Sequence, residues 1–121
     1  MKRGYIVLSD RFADSTYAYQ GAARGFIQEV LEMERFVLRG FQPDYMLFFD
    51  LSFEESDRRL QQRTDKSDRF DEEHREFKRR VWQGYQDRFQ QFPDRMVRVG
   101  AMQDIDGVRA QLLAWVHRTF R

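Results

Sequence analysis

An α/β fold is what this sequence predicts, and three observations carry the prediction. Two apolar runs, Tyr5-Ile6-Val7-Leu8 and Tyr45-Met46-Leu47-Phe48-Phe49, have the length and continuity of buried strands. More than thirty residues separate them, which is room for a helical crossover, so the strands should run parallel. Between and after them, apolar residues recur at three- and four-residue steps, as on the inward face of a helix. The expected order is β-α-β-α-loop-α-β-α in a single domain over residues 1–121.

The first strand should occupy residues 5–9. A helix over 15–38 follows, with Ser15 or Thr16 as N-cap and Phe26, Val30, Met33 and Val37 on one face. Gly21 and Gly25 weaken its first half, and Gly40 ends it. Pro43-Asp44 is a turn into the second strand, 45–50. Ser52 and Glu55 have the spacing of a capping box and open a short helix to about Arg63. Thr64-Asp65-Lys66-Ser67 holds no apolar residue and reads as an exposed loop. Asp68 or Asp71 then starts a long helix whose stripe is Phe70, Phe77, Val81, Tyr85 and Phe89. Pro93 lies beyond its end, 95–99 alternate as a third strand, and Asp104 or Asp106 starts a last helix with Val108, Leu112 and Trp115 inward.

Composition narrows the function classes. The formal net charge of +1 argues against a general nucleic-acid binder or a membrane-surface binder. The cations are almost all Arg, whose planar fork suits phosphate oxygens; a GC-rich coding sequence gives the same skew. With no cysteine there is neither a disulfide nor a thiolate metal site. No apolar run reaches the length of a membrane span and no signal peptide is visible, so the expected location is cytoplasmic. His74 and His117 lack metal-ligand spacing.

The chemistry concentrates after the first apolar run. Asp10 and Arg11 stand where the strand should end, and Ser15, Thr16, Tyr19, Gln20 and Gly21 follow on the next helix. Ligands of open α/β sheets sit outside the carboxyl ends of the strands. An arginine there can hold a phosphate, and an acid can order water or a metal-bound water; a surface ion pair at a strand end uses the same two residues. Arg63 and Arg69 flank the polar loop. Alone, they also fit solvated arginines among Asp57, Asp65, Asp68 and Asp71.

Taken together, Asp10-Arg11-Phe12, Ser15-Thr16, Ala18-Tyr19-Gln20-Gly21, Pro43-Asp44, Asp50, Arg63 and Asp68-Arg69-Phe70-Asp71 resemble the nucleoside-monophosphate side of bacterial thymidylate kinases. The resemblance covers nearly all of this chain but only the C-terminal half or more of a complete kinase. It implies an incomplete P-loop-kinase-like three-layer sandwich with about three parallel strands (5–9, 45–50, 95–99) flanked by helices. The family moves the γ-phosphoryl of ATP to dTMP with Mg²⁺. By resemblance, Arg11 contacts phosphate and Asp10 could reach the metal through water. Ser15, Thr16, Tyr19 and Gln20 line the thymidine pocket, and Arg63 and Arg69 belong to a lid over about 63–69. Phe12 stands where the family usually has Tyr or His, Asp71 where it has Glu, and Gly100 where it has an acid.

The phosphate-binding P-loop is missing from these residues. That pattern needs two glycines five apart followed by Lys and Ser or Thr, and none of the seven glycines here precedes a lysine. The ATP and Mg²⁺ sites are therefore expected to be incomplete, and the chain alone inactive. It would be a truncated kinase, half of a split kinase, or a non-catalytic remnant that binds nucleotide or a partner kinase chain. Unpaired strand edges and the apolar helix face predict a homodimer, or a partner supplying the absent segment.

Overall fold

The computed structural model describes residues 4–63 and 72–120. Its elements are α1 (Ala13–Thr16), a π-helical turn (Tyr17–Ala22), α2 (Ile27–Leu38), β1 (Met46–Asp50), α3 (Phe53–Arg63), α4 (Glu72–Gln91), β2 (Met96–Gly100) and α5 (Ile105–Thr119). Among the described residues the sheet has two strands, β1 and β2, paired in parallel from Met46 beside Met96 to Asp50 beside Gly100. The result is a helix-rich α/β arrangement. No described helix is long and apolar enough to cross a membrane.

Residues 5–9 are the main correction, because they form no strand. A strand needs a hydrogen-bonded neighbour. Here β1 uses one edge for β2, and no described segment runs along its other edge. The run from Tyr5 to Leu8 is left in irregular backbone with all four side chains exposed, Leu8 to 90%. The three-strand expectation thus reduces to the two strands that find each other.

The expected helix over 15–38 is also divided. It starts earlier, at Ala13, with Phe12 as an N-cap that contributes no side-chain hydrogen bond. It widens to π geometry over Tyr17–Ala22 and breaks at Gly25, whose φ of +85° is a left-handed conformation that glycine adopts without strain. It resumes as α2. Only Val30 of the expected inward face is buried; Phe26, Met33 and Val37 are exposed. The helix stops where Arg39 and Gly40 both take positive φ.

The π-helical turn packs closely on α4. Ala18, Ala23 and Val81 form the buried centre, with Tyr19, Phe77 and Tyr85 against it. Gly84 is the reason the two segments can approach. A Cβ at this position would lie 2.7 Å from the Ala22 Cβ and 2.9 Å from the Ala18 Cα.

Local polar contacts set the remaining boundaries. The Ser52 hydroxyl accepts from the Glu55 amide at 3.3 Å, as a cap should, while the Glu55 carboxylate turns outward to Arg58 and Arg59. Asp104 is the N-cap of α5 and accepts from the Gly107 amide at 2.8 Å. The Gln111 side chain reaches back to β2. Its amide donates to the Gly100 carbonyl and its oxygen accepts from the Gly100 amide, both at 3.0 Å. Leu112 and Trp115 are half-buried, and no residue of α5 is fully buried.

Candidate functional site

The chain enters the candidate site through a turn. The Ser9 hydroxyl donates to the Arg11 carbonyl at 2.8 Å, and Arg11 takes φ +70°. A non-glycine residue in that region is uncommon and worth a functional question. The turn directs the Arg11 guanidinium over the Tyr19 ring, 5.3 Å from its centroid. Two turns of helix bring Ser15 and Tyr19 to the same neighbour on α4. Ser15 and Tyr85 share a hydrogen bond of 2.7 Å between their hydroxyls, and the Tyr19 and Tyr85 rings meet edge to face at 6.4 Å. Burial pushes the Tyr85 phenol above its ordinary value, while the Ser15 hydrogen bond pulls the other way.

Tyr19 and Tyr85 form one wall of a cleft of about 290 Å³. Its floor is the carboxyl end of β1 with Phe48, Phe49 and Leu51, and its far side is α3 with Phe53, Ser56 and Asp57. That is where ligands of α/β sheets collect. The walls are held by specific contacts. The Trp82 indole donates to the Leu51 carbonyl at 2.8 Å, and Gln86 donates to Asp50 at 3.1 Å. Asp57 is buried and accepts from Arg75 at 2.9 Å and Gln61 at 3.0 Å. Arg79 stacks over Phe53 at 4.2 Å. Asp50 is further paired with Arg98, which lies over Phe89.

Behind this wall lies a buried ionic network. Arg88 is 1% exposed and sits 5.0 Å from the Tyr17 ring centroid and 4.7 Å from that of Phe92. It donates through Nε to Asp14 at 2.8 Å and through Nη2 to Glu34 at 2.9 Å. Arg95 adds two more donors to Asp14, at 3.1 and 3.2 Å. Burial alone would raise the Asp14 carboxyl, but the hydrogen bonds from Arg95 and Arg88, with their charges, hold it below its ordinary value of 3.8.

The structure gathers some of the expected residues and not others. Arg11, Ser15 and Tyr19 converge with Tyr85. Tyr85, expected as core packing, does pack on Phe48 and Tyr19 and also carries the Ser15 hydrogen bond. Asp10, Arg11, Thr16 and Gln20 are exposed, and of the expected residues that are described only Tyr19 lines the cleft. Arg63 is exposed in the last turn of α3. Arg69 and most of the expected lid, residues 64–69, lie outside the described residues, as do Asp68, Phe70 and Asp71. Among the described residues no group of three or more His, Asp or Glu gathers to hold a metal. Arg24 rests over the Phe77 ring at 5.7 Å from its centroid, a packing contact. Sequence reasoning missed Asp14, Glu34, Arg88 and Arg95.

Tyr19 and Tyr85 thus stand at a cleft outside the carboxyl end of a parallel strand, the usual ligand position of an α/β fold. Comparison with known proteins makes the class specific. The thymidylate kinase family profile matches residues 1–112. Over 84% of this chain and 48% of its own length, a thymidylate kinase of Mesoplasma florum is 45% identical. One of Mycoplasma capricolum is 43% identical over 93% of the chain and 54% of its own length. One of Paracidovorax citrulli is 44% identical over 96% and 56%. The chain belongs to the thymidylate kinase family, and it spans about half the length of the curated relatives it matches.

Proposed function

We propose that this chain carries the acceptor side of a thymidylate kinase and binds dTMP. In this reading Arg11 takes the phosphate, Tyr19 meets the nucleoside from the cleft and Ser15, Thr16 and Gln20 from the same segment outside it, and Arg63 and Arg69 close over the phosphate from the lid. A Gln amide both donates and accepts, as the thymine edge requires. The observation that carries the reading is the Arg11 turn. Its backbone adopts an uncommon conformation that sets the guanidinium on the ring of Tyr19, which lines the cleft and meets Tyr85.

Phosphoryl transfer is a separate matter. Mg²⁺ and ATP belong to the family's reaction, in which positioning of the donor phosphates supplies most of the catalysis. These 121 residues contain no P-loop pattern and, where described, no carboxylate cluster for a cation. Assayed alone with dTMP and Mg-ATP in a coupled ADP-release assay, the chain is expected to show no turnover. Turnover that persists through re-purification and vanishes in Arg11→Ala would refute this.

Binding is the direct test of the acceptor reading. If Arg11 meets a phosphate, dTMP should bind more tightly than thymidine by about 1.5–3 kcal/mol, the worth of a hydrogen bond to a charged group. Isothermal titration of both ligands measures the gap, and Arg11→Ala should close it. Equal affinities in the unmodified chain would remove the phosphate role from Arg11.

A further inference from the structure

The Asp14–Arg88 pair and the Ser15–Tyr85 pair are two rungs of one ladder. Asp14 and Ser15 are neighbours on α1. Arg88 and Tyr85 lie three apart on α4, on the same face. Each rung crosses between the same two segments, at 2.8 Å and 2.7 Å. Arg88 then continues to Glu34 on α2, and Arg95, just before β2, holds the second oxygen of Asp14. One guanidinium therefore fixes α1 against both α2 and α4.

The location of this tie matters more than its strength. α1 is only four residues long and runs straight into a π-helical turn, so it has little regularity of its own to hold its register. Arg11 precedes Asp14 by three residues, and Tyr19 follows it by five. A small slide or roll of α1 would carry Arg11, Ser15 and Tyr19 together away from Tyr85. Gly84 sets how closely the two segments approach, but a contact with alanines does not set rotation. A guanidinium whose Nε donates to Asp14 and whose Nη2 donates to Glu34 does, because its donors point in fixed directions.

We infer that Arg88, through Asp14 and Glu34, is the positioning residue that sets the rotation of α1 and so places Arg11, Ser15 and Tyr19 for the nucleotide. This rests on the acceptor-site reading above and adds to it the residue that orients the site. Arg88 touches no ligand in this scheme. It acts by geometry, so a cation without the fork should not replace it.

The test is Arg88→Lys in the 121-residue chain, which keeps the charge and loses the fork. Two readouts are taken on the folded protein. One is the ring-to-ring nuclear Overhauser contact between Tyr19 and Tyr85, assigned with Tyr85→Phe. The other is the ratio of dTMP to thymidine affinity. The inference predicts that the ring contact weakens or is lost, and that the affinity ratio falls by roughly tenfold, the equivalent of one charge-assisted hydrogen bond. Should Arg88→Lys fail to fold, Glu34→Gln is read in its place. It keeps an acceptor for Arg88 and should move both readouts the same way by less. A folded variant with the ring contact and the affinity ratio both unchanged overturns the inference and leaves the network a purely stabilising role. If the unmodified chain shows no dTMP preference while the ring contact still depends on Arg88, the positioning stands and the acceptor-site reading falls.

Discussion

Replacing Arg88 with Met should destabilise the chain by about 3–5 kcal/mol, the loss expected when one partner of a buried ion pair is removed. Arg88 and Asp14 are each 1% exposed. Without Arg88, Asp14 keeps only Arg95, and Glu34 loses both of the hydrogen bonds it receives from the guanidinium. The cost comes from stranding carboxylates away from water, not from the lost attraction alone. A small domain is stable by only about 5–15 kcal/mol, so the effect would be a large fraction of the whole. Urea unfolding at neutral pH measures it. A loss below about 1 kcal/mol, the range of exposed pairs, would contradict the account. The triple variant Asp14→Asn, Glu34→Gln, Arg88→Met should recover part of the loss, since no carboxylate is then left stranded, while Arg95 still loses its ionic partner.

The same network gives the chain a directional response to acid. Asp14 has a folded-state pKa below its ordinary 3.8. The unfolded chain therefore binds the proton first as pH falls. The stability that Asp14 contributes is complete above its ordinary value and is lost as pH drops through the lower folded-state value. Asp14→Asn should flatten the acid limb of the stability curve below about pH 4.

Gly84→Val should be the second severe substitution. Even the first carbon of a side chain would stand 2.7 Å from the Ala22 Cβ and 2.9 Å from the Ala18 Cα. The second contact is with backbone, which cannot swing aside as a long side chain can. Overpacking of this kind costs about 1–3 kcal/mol and forces the segments apart. Gly84→Ala already meets both atoms and should be destabilising in the same way. Adding Ala22→Gly should relieve part of the clash but not all of it, because the Ala18 backbone remains. Thermal melting of the three variants decides this, and an unchanged midpoint in Gly84→Ala would mean that α4 and the π-helical turn are not in such close contact.

How much of this was legible in the sequence depends on the kind of signal. Period and punctuation were readable. The continuous run ending at Phe49 became β1, Ser52 and Asp104 capped their helices, and Val81 and Tyr85 face inward as the stripe implied. The first strand was not readable, because an apolar run only becomes a strand when another strand lies beside it, and that is a property of the rest of the structure. The break at Gly25 was half visible. Two glycines warned of a weak helix, but nothing in the pattern marked the widening over Tyr17–Ala22, the stretch that packs against Gly84.

The grouping of the candidate residues was legible where it rested on a local pattern. Arg11, Ser15 and Tyr19 come from one short stretch and do converge, and Tyr85 was noticed on its stripe. The ionic network was not seen, although its signal was present. Arg88 falls seven residues after Val81, on the inward stripe, between Phe89 and Phe92 on one side and Tyr85 on the other. A charge at a core position demands a buried partner. Asp14 and Glu34 were candidates, but they lie 74 and 54 residues away in the chain, and only the fold reveals which acid answers.

The most direct test of the central claim is amide chemical-shift mapping of the labelled chain with dTMP and, separately, with thymidine. The account predicts that dTMP perturbs the signals of residues 10–20 and of Tyr85. Thymidine should reproduce the changes at Ser15, Tyr19 and Tyr85 while leaving Arg11 nearly still. Perturbations confined to β2 and α5, or identical maps for the two ligands, would contradict it.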